Sequence, residues 1–211
     1  MIDVAIKILI GIGLTILLNI IVDYFILGEG SDLFTSINDI FKTKDRLFVH
    51  ISSVIIQLAL ISVLGVNLVG GLYYLVTLIF YRITIIDYKT KYIDNKLFVL
   101  LLIVSFMSLA IDNGVGILES LATGVITFLL LWGFSKVTRG AFGMGDAKVL
   151  GALGIIFGLR GLLAILIAGG TLVFAVSIVL IIKSRSNAKK ELPFTPYLFL
   201  GLLLVFIINN I

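Results

Sequence analysis

Residues 143–182 read GMGDAKVLGALGIIFGLRGLLAILIAGGTLVFAVSIVLII. From Val149 onward this stretch carries one charge, Arg160, which divides two apolar runs. A helix needs roughly 20 apolar residues to cross a bilayer, within a range of about 17–25. Gly161–Ile182 meets that length. Gly143–Leu159 meets it only when counted from the glycine; from Ala147 it has 13 residues, about 20 Å at the usual helical rise. The shorter run could instead be re-entrant, but that would strand Lys183–Lys190 among loops poor in cations. It is therefore expected to cross, which places Asp146 about one turn inside the membrane.

Outward from this pair, the same criterion marks further spans at about Val4–Leu27, Ile51–Val66, Asn67–Ile86, Leu97–Ile111, Val115–Ser135 and Tyr197–Ile211. The fold expected is all-α: a polytopic membrane protein of about eight transmembrane helices, forming a single membrane-embedded domain over residues 1–211. Composition agrees. Hydrophobic residues make up 60% of the 211 and charged residues only 13%, with a mean hydropathy of +1.23. A soluble domain carries about 25% charged residues, so too few polar side chains remain to coat a globule in water. Gly70, Gly71, Gly124, Gly169 and Gly170 lie within spans, where small residues let helices approach closely.

Lysine and arginine test the layout. With eight spans, 14 of the 16 basic residues share one side, among them Lys44, Arg82, Lys148 and Lys189, and only Lys7 and Arg160 take the other. The positive-inside rule makes the crowded side cytoplasmic. Both termini then lie outside, in a multi-pass protein of the cell membrane. The net charge of +4 follows from this topology, and no nucleic-acid partner is needed to explain it. Met1–Leu27 lacks a basic cluster, and its apolar run Ile8–Leu27 is too long for a cleaved signal, so it is read as a retained span. The longest extramembrane stretch is the cysteine-free insert Gly28–Val49. Leu33, Phe34, Ile37, Ile40 and Phe41 recur there at helical spacing, with Asp32 as a candidate cap. They fit a helix lying on anionic headgroups or an ordinary ordered loop.

The chemistry available is narrow. The chain has no cysteine and one histidine, His50, which excludes disulfides, iron–sulfur clusters, cysteine-ligated zinc and any site needing two histidines. Carboxylates remain, and ionisable groups at membrane depth are costly and usually functional. Asp146 follows two glycines that free the backbone and permit close approach of another chain. Its bland alternative is a helix cap favoured by the dipole. Asp87 ends the third span in Ile85-Ile86-Asp87-Tyr88-Lys89, and its bland alternative is pairing with Arg82 or Lys89. Together the two aspartates sit at one membrane face, at the ends of separate spans. Two carboxylates brought close cannot both ionise cheaply. The charged one can draw a proton from water while the protonated one donates to a peptide carbonyl. That is aspartic proteolysis, which needs no metal and no cofactor.

Gly143-Met144-Gly145-Asp146 resembles the GxGD signature of membrane aspartic proteases, and the wider context resembles the type IV prepilin peptidases and archaeal preflagellin peptidases. In those families the first catalytic aspartate follows an apolar span, as in Ile86-Asp87, and a lysine follows the second, as in Asp146-Ala147-Lys148. Leu192-Pro193-Phe194-Thr195-Pro196 is similar to their Pro-Phe-x-Pro segment, and Leu17-Leu18-Asn19-Ile20-Ile21 to the apolar-Asn stretch of their first span. The resemblance covers about residues 17–201. It implies an endopeptidase that cleaves the basic leader of prepilin-like precursors at the cytoplasmic face. Asp87 and Asp146 would be catalytic, and Gly143, Met144, Gly145 and Lys148 would line the substrate's approach. Two departures stand out. Many members carry Cys-x-x-Cys pairs that bind zinc in the loop replaced here by Gly28–Val49, which puts N-methyltransferase activity in doubt. Where the family has an apolar-Pro pair, this chain has Ile93-Asp94, with Asp94 read as a solvated loop residue.

Lys148 could hold negative charge on Asp146 or snorkel to the interface, the second being preferred. Asn19 and Asp23 share a helix face and are read as an internal polar contact. His50 is read as interfacial, and Trp132, Phe134, Tyr73, Tyr74 and Tyr92 as belt or packing residues. Three rival functions remain. A proton- or cation-coupled transporter would place carboxylates nearer the midplane, in repeated broken helices. A GxGD protease of other substrates, cutting inside the bilayer, would need deeper aspartates. A nonenzymatic assembly protein would tolerate their replacement.

The charge split predicts that single cysteines introduced at Lys44 and Lys189 are shielded from an impermeant thiol reagent in intact cells, while one at Arg160 is labelled. Labelling of position 44 or 189 from outside would overturn the orientation.

Overall fold

Long apolar runs without internal proline leave the backbone one economical way to satisfy its own polar groups, the α-helix. The protein, seen in a computed structural model, is described at residues 12, 13, 15, 16, 19, 43–65, 67–111, 114–138, 143–183 and 192–209. The helices there are α1 (Thr43–Leu64), α2 (Leu68–Thr90), α3 (Asn95–Ser108), α4 (Ile117–Val137), α5 (Met144–Lys183) and α6 (Thr195–Asn209). The described residues include no strand, in keeping with the all-α expectation. Three helices, α2, α4 and α5, are long and apolar enough to cross a membrane; α3, α6 and Phe48–Leu64 of α1 are shorter apolar helices. The expected first span and the candidate interfacial helix at 32–41 fall largely or wholly outside the described residues. The expected loop Gly28–Val49 ends earlier than foreseen, because α1 already begins at Thr43.

Contacts divide the chain into two compact units, Met1–Arg82 and Ile83–Ile211. In the first, Asn67 caps α2 by accepting the Gly70 N–H at 2.5 Å, and the Tyr74 hydroxyl donates to the Gly65 carbonyl. Gln57 donates to the Tyr74 carbonyl at 3.0 Å. Asn19 is buried, donating to Ser53 Oγ at 2.9 Å and accepting from Arg82 at 2.7 Å. His50, expected at the interface, has its Nδ1 3.2 Å from the same guanidinium. Asp23 lies outside the described residues.

The second unit is an up-and-down set of helices whose directions follow from its contacts. Along α4 and α5, Glu119 meets Gly158, Thr123 meets Gly154 and Phe128 meets Gly151, so the two run antiparallel. α5 is not one rod. Gly158 has φ 61° and ψ −173°, a left-handed φ that L side chains avoid. The helix breaks there into segments 144–157 and 159–183. Asp146 meets Thr195, and Phe157 packs edge-on against Phe206 with ring centres 5.8 Å apart, so the first segment runs parallel to α6. Gly169 meets Leu198 and Gly201 meets Ile165, so the second runs antiparallel to it. Gly158 therefore reverses the chain, and the two segments correspond to the separate runs on either side of Arg160.

Glycines set the spacing. A Cβ on Gly124 would lie 2.8 Å from the Gly151 carbonyl and would collide with Ile155. On Gly154 it would lie 3.1 Å from the Gly124 Cα. The outward faces stay apolar: Leu130 is 67% exposed, Ile167 70% and Ile182 80%. Soluble monomers rarely expose so continuous an apolar surface, whereas a membrane protein turns it to lipid.

Gly124→Ala is expected to destabilise the protein by about 1–3 kcal/mol through overpacking. Gly133→Ala, where nothing lies within 4 Å of the added methyl, is expected to be neutral or to stabilise by about 0.5–1 kcal/mol through helix propensity. Thermal unfolding in detergent reads the difference, and equal effects would refute this account of the α4–α5 seam.

Candidate active site

The site is built where three helix ends of the second unit meet. α2 carries Asp87 one turn before its end. The helix stops at Lys91, which takes a left-handed φ of 54° while its N–H still bonds the Asp87 carbonyl at 2.7 Å. Four residues later α3 begins, and Asp94 is its cap, accepting the Lys96 N–H at 2.7 Å. Asp94, read as a solvated loop residue, stands partly exposed at the end of that loop and adds the role of cap. Its neighbour Ile93 is buried and lies over Gly145, where an added Cβ would fall 2.8 Å from the Ile93 Cδ1. Gly145 thus has no room for a side chain. A Cβ on Gly143 would lie 2.9 Å from Asp146 Oδ2. The paired glycines let α5 start tight beside the loop after α2.

The third component is the start of α6. Pro193 precedes Thr195 and Pro196 sits in the first turn, where the missing proline N–H is tolerated. The N–H groups of Tyr197 and Leu198 both turn back to the Phe194 carbonyl, at 3.1 and 3.2 Å. Thr195, fully buried, donates its hydroxyl to Asp146 Oδ1 at 3.0 Å. Asp87 lies close by, within reach of the same residue's electrostatic influence. The two aspartates are near enough for the charge of one to act on the other.

A cleft of about 370 Å³ opens over this junction, lined by Asp87, Lys91, Tyr92, Ile93, Asn95, Gly143, Met144, Gly145, Asp146 and Lys148. All six residues singled out from sequence, Asp87, Gly143, Met144, Gly145, Asp146 and Lys148, line this one cleft. Asp87 is 7% exposed, and its Oδ2 is buried without a hydrogen bond. Such an unmatched acceptor costs about 1–3 kcal/mol, unless the oxygen carries a proton or meets water or substrate. Lys148 lies at the edge of the cleft. Its ammonium donates to Asn95 Oδ1 at 2.9 Å and lies 5.5 Å from the Phe98 ring centre, so it braces α5 against α3 beside the cleft. Trp132, read as a belt residue, stands under the ammonium of Lys136 at 5.2 Å.

Sequence reasoning passed over Thr195, although it is the variable residue of the Pro-Phe-x-Pro segment and the one hydroxyl there. It also passed over Ile93 as a wall of the cleft; its cue was an apolar residue in an otherwise polar loop. No group of three or more metal-ligating side chains occurs among the described residues.

A family model, the type IV leader peptidase family, matches residues 72–182. The match takes in Asp87, the paired glycines, Asp146 and Lys148, and stops short of Thr195. Comparison with curated proteins returns no match, and neither does comparison with solved structures.

Proposed function

The chain belongs to the type IV leader peptidase family, and from that premise we propose that it is an aspartic endopeptidase that removes the basic leader of prepilin-like precursors. The observation that carries this reading is the convergence of Asp87 and Asp146 on one cleft, with Thr195 between them. Family membership makes the protein a peptidase, and the cleft offers two carboxylates and no cysteine for the work.

In the proposed reaction the charged carboxylate takes a proton from water as the water oxygen attacks the scissile carbonyl carbon. The protonated carboxyl donates to the carbonyl oxygen, giving a neutral tetrahedral diol. Collapse breaks the C–N bond, with a proton passing to the departing amine, and leaves a carboxylic product and a new N-terminus. Asp87 Oδ2, buried and unmatched, is the oxygen placed to hold or hand over a proton. The exposed backbone at Gly143 gives an extended substrate segment room beside Asp146.

The membrane arrangement in this proposal is eight crossings of the cell membrane, with the cleft facing the cytoplasm and residues 1–211 acting as a single peptidase domain. The reversal at Gly158 supports counting 144–157 and 159–183 as two passes. The substrate's basic leader stays in the cytoplasm and its apolar segment lies in the bilayer. A cysteine-free chain lacks the thiolate cluster of the zinc-binding relatives, so the activity is proposed to be cleavage without N-methylation and without metal. A transporter reading has no support from the family match, and the paired carboxylates at helix ends favour hydrolysis.

Asp87→Asn and Asp146→Asn should each lower cleavage of a precursor in liposomes by a factor of about 10³ or more, on the scale of losing a member of a catalytic pair. Insertion and melting should stay near wild type. Near-normal turnover by either variant would remove that aspartate from the mechanism. Wild-type product incubated with S-adenosylmethionine should show an unmodified N-terminus by mass spectrometry, and cleavage should survive a chelator. A product heavier by one methyl group would refute the single-activity reading, and loss of cleavage with chelator would refute the metal-free one.

A further inference from the structure

We propose that Thr195 is the positioning residue of the aspartate pair, a clamp whose hydroxyl holds Asp146 beside Asp87. This rests on the aspartic reading above and goes beyond it, since the resemblance gives this residue no role and the family match stops short of it.

The clamp follows from how α6 starts. The first turn of a helix leaves N–H groups without intrahelical partners, and these point out of its N-terminus. Pro193 and Pro196 have no N–H to offer, and those of Tyr197 and Leu198 are turned to the Phe194 carbonyl. Thr195 opens this turn beside Asp87. The hydroxyl of the same residue points to Asp146, at 3.0 Å from Oδ1. Thr195 has no exposed surface, so water does not compete for its hydroxyl.

A hydroxyl has one proton, and by giving it to Asp146 Oδ1 it fixes the rotation of that carboxylate. Oδ2 is then the free oxygen, on the side of Gly143 where the cleft opens. Oδ2 of Asp87 is likewise without a hydrogen bond. The two free oxygens are the ones that must share a water and a scissile carbonyl. An alanine or glycine at this position would supply the N–H and not the hydroxyl, so this chain carries one donor more than its local backbone requires. Thr195 need not touch substrate; it acts through the carboxylates.

The test compares Thr195→Val, Thr195→Ala, Thr195→Ser and Asp146→Asn in liposomes. The probe is a synthetic precursor with a basic leader, a glycine and an apolar helix. Thr195→Val keeps size and shape but lacks the hydroxyl. It should lower kcat roughly 10- to 100-fold, the cost of one hydrogen bond to a charged group, with KM within about twofold. Thr195→Ser should stay within about threefold of wild type, since it restores the donor. Should valine lower the melting temperature, the alanine and serine variants, which differ by one oxygen, give the same comparison at matched packing. Infrared spectra, differenced against Asp146→Asn, give a readout that needs no turnover: the Asp146 carboxylate band should move in the valine variant and stay in place in the serine variant. Normal kcat in the valine and alanine variants with a dead Asp146→Asn would overturn the clamp and leave the aspartic reading standing. An active Asp146→Asn would overturn the aspartic reading itself. Equal losses in the serine and alanine variants, or an unmoved band, would show that the hydroxyl is not what matters.

Discussion

At Gly124, Gly151 and Gly154 the backbones of α4 and α5 meet with almost no side chain between them. Lipid gives apolar helices little hydrophobic reason to associate, so close packing of small residues has to hold them. That contact fixes the first segment of α5, and with it the depth and direction of Asp146. Ser105 adds a buried bond at 3.1 Å to the Ala152 carbonyl, tying α3 to the same segment. The second glycine seam, Gly169 and Gly201 with Ile165 and Leu198, fixes α6 against the returning half of α5 and brings Thr195 to the level of the aspartates. Two carboxyls can be aligned to within the tolerance chemistry requires only if their helices cannot slide.

Much of this was legible in the sequence because span length and charge are local properties. The apolar run expected at Val115–Ser135 is the helix Ile117–Val137, and the run expected from Asn67 is the helix from Leu68. α2 runs on past the expected end at Ile86 to Thr90, since Asp87 and Lys89 at its tail keep their helical bonds in place of loop geometry. The break placed between Leu159 and Gly161 falls at Gly158, where a left-handed φ is cheap. The count of crossings reads less directly: three helices meet the length and hydropathy of a span, and others are too short to do so alone.

The site was half legible. Gly-Met-Gly-Asp and Ile-Asp announce themselves because an acidic residue beside glycines in an apolar chain has few structural excuses. Thr195 does not, because its meaning lies in a contact with Asp146 across 49 positions, and no local pattern encodes that distance. The same holds for Lys148, whose partner Asn95 is 53 positions away. Asp94 was within reach: an aspartate just before Asn-Lys-Leu-Phe is a helix-start signal, outweighed by its place in a polar loop.

The short helices around the aspartates bear on the bilayer as well. α3 has 14 residues and α6 has 15, so each is about 21–22 Å long, and the first segment of α5 is no longer. A typical hydrocarbon core is about 30 Å thick. The returning half of α5 continues apolar beyond the level of Thr195, from Leu172 to Ile182. The bilayer therefore meets full-length helices on one flank and stunted ones on the other. Hydrophobic mismatch of this kind is relieved by tilting or by pinching the lipid, at fractions of a kcal/mol per Å. With the proposed membrane arrangement and reaction, pinching beside α3 and α6 would carry headgroups and water down toward Asp87 and Asp146, and a peptide bond at the end of a lipid-embedded helix would meet its hydrolytic water without the whole segment being pulled out of the membrane.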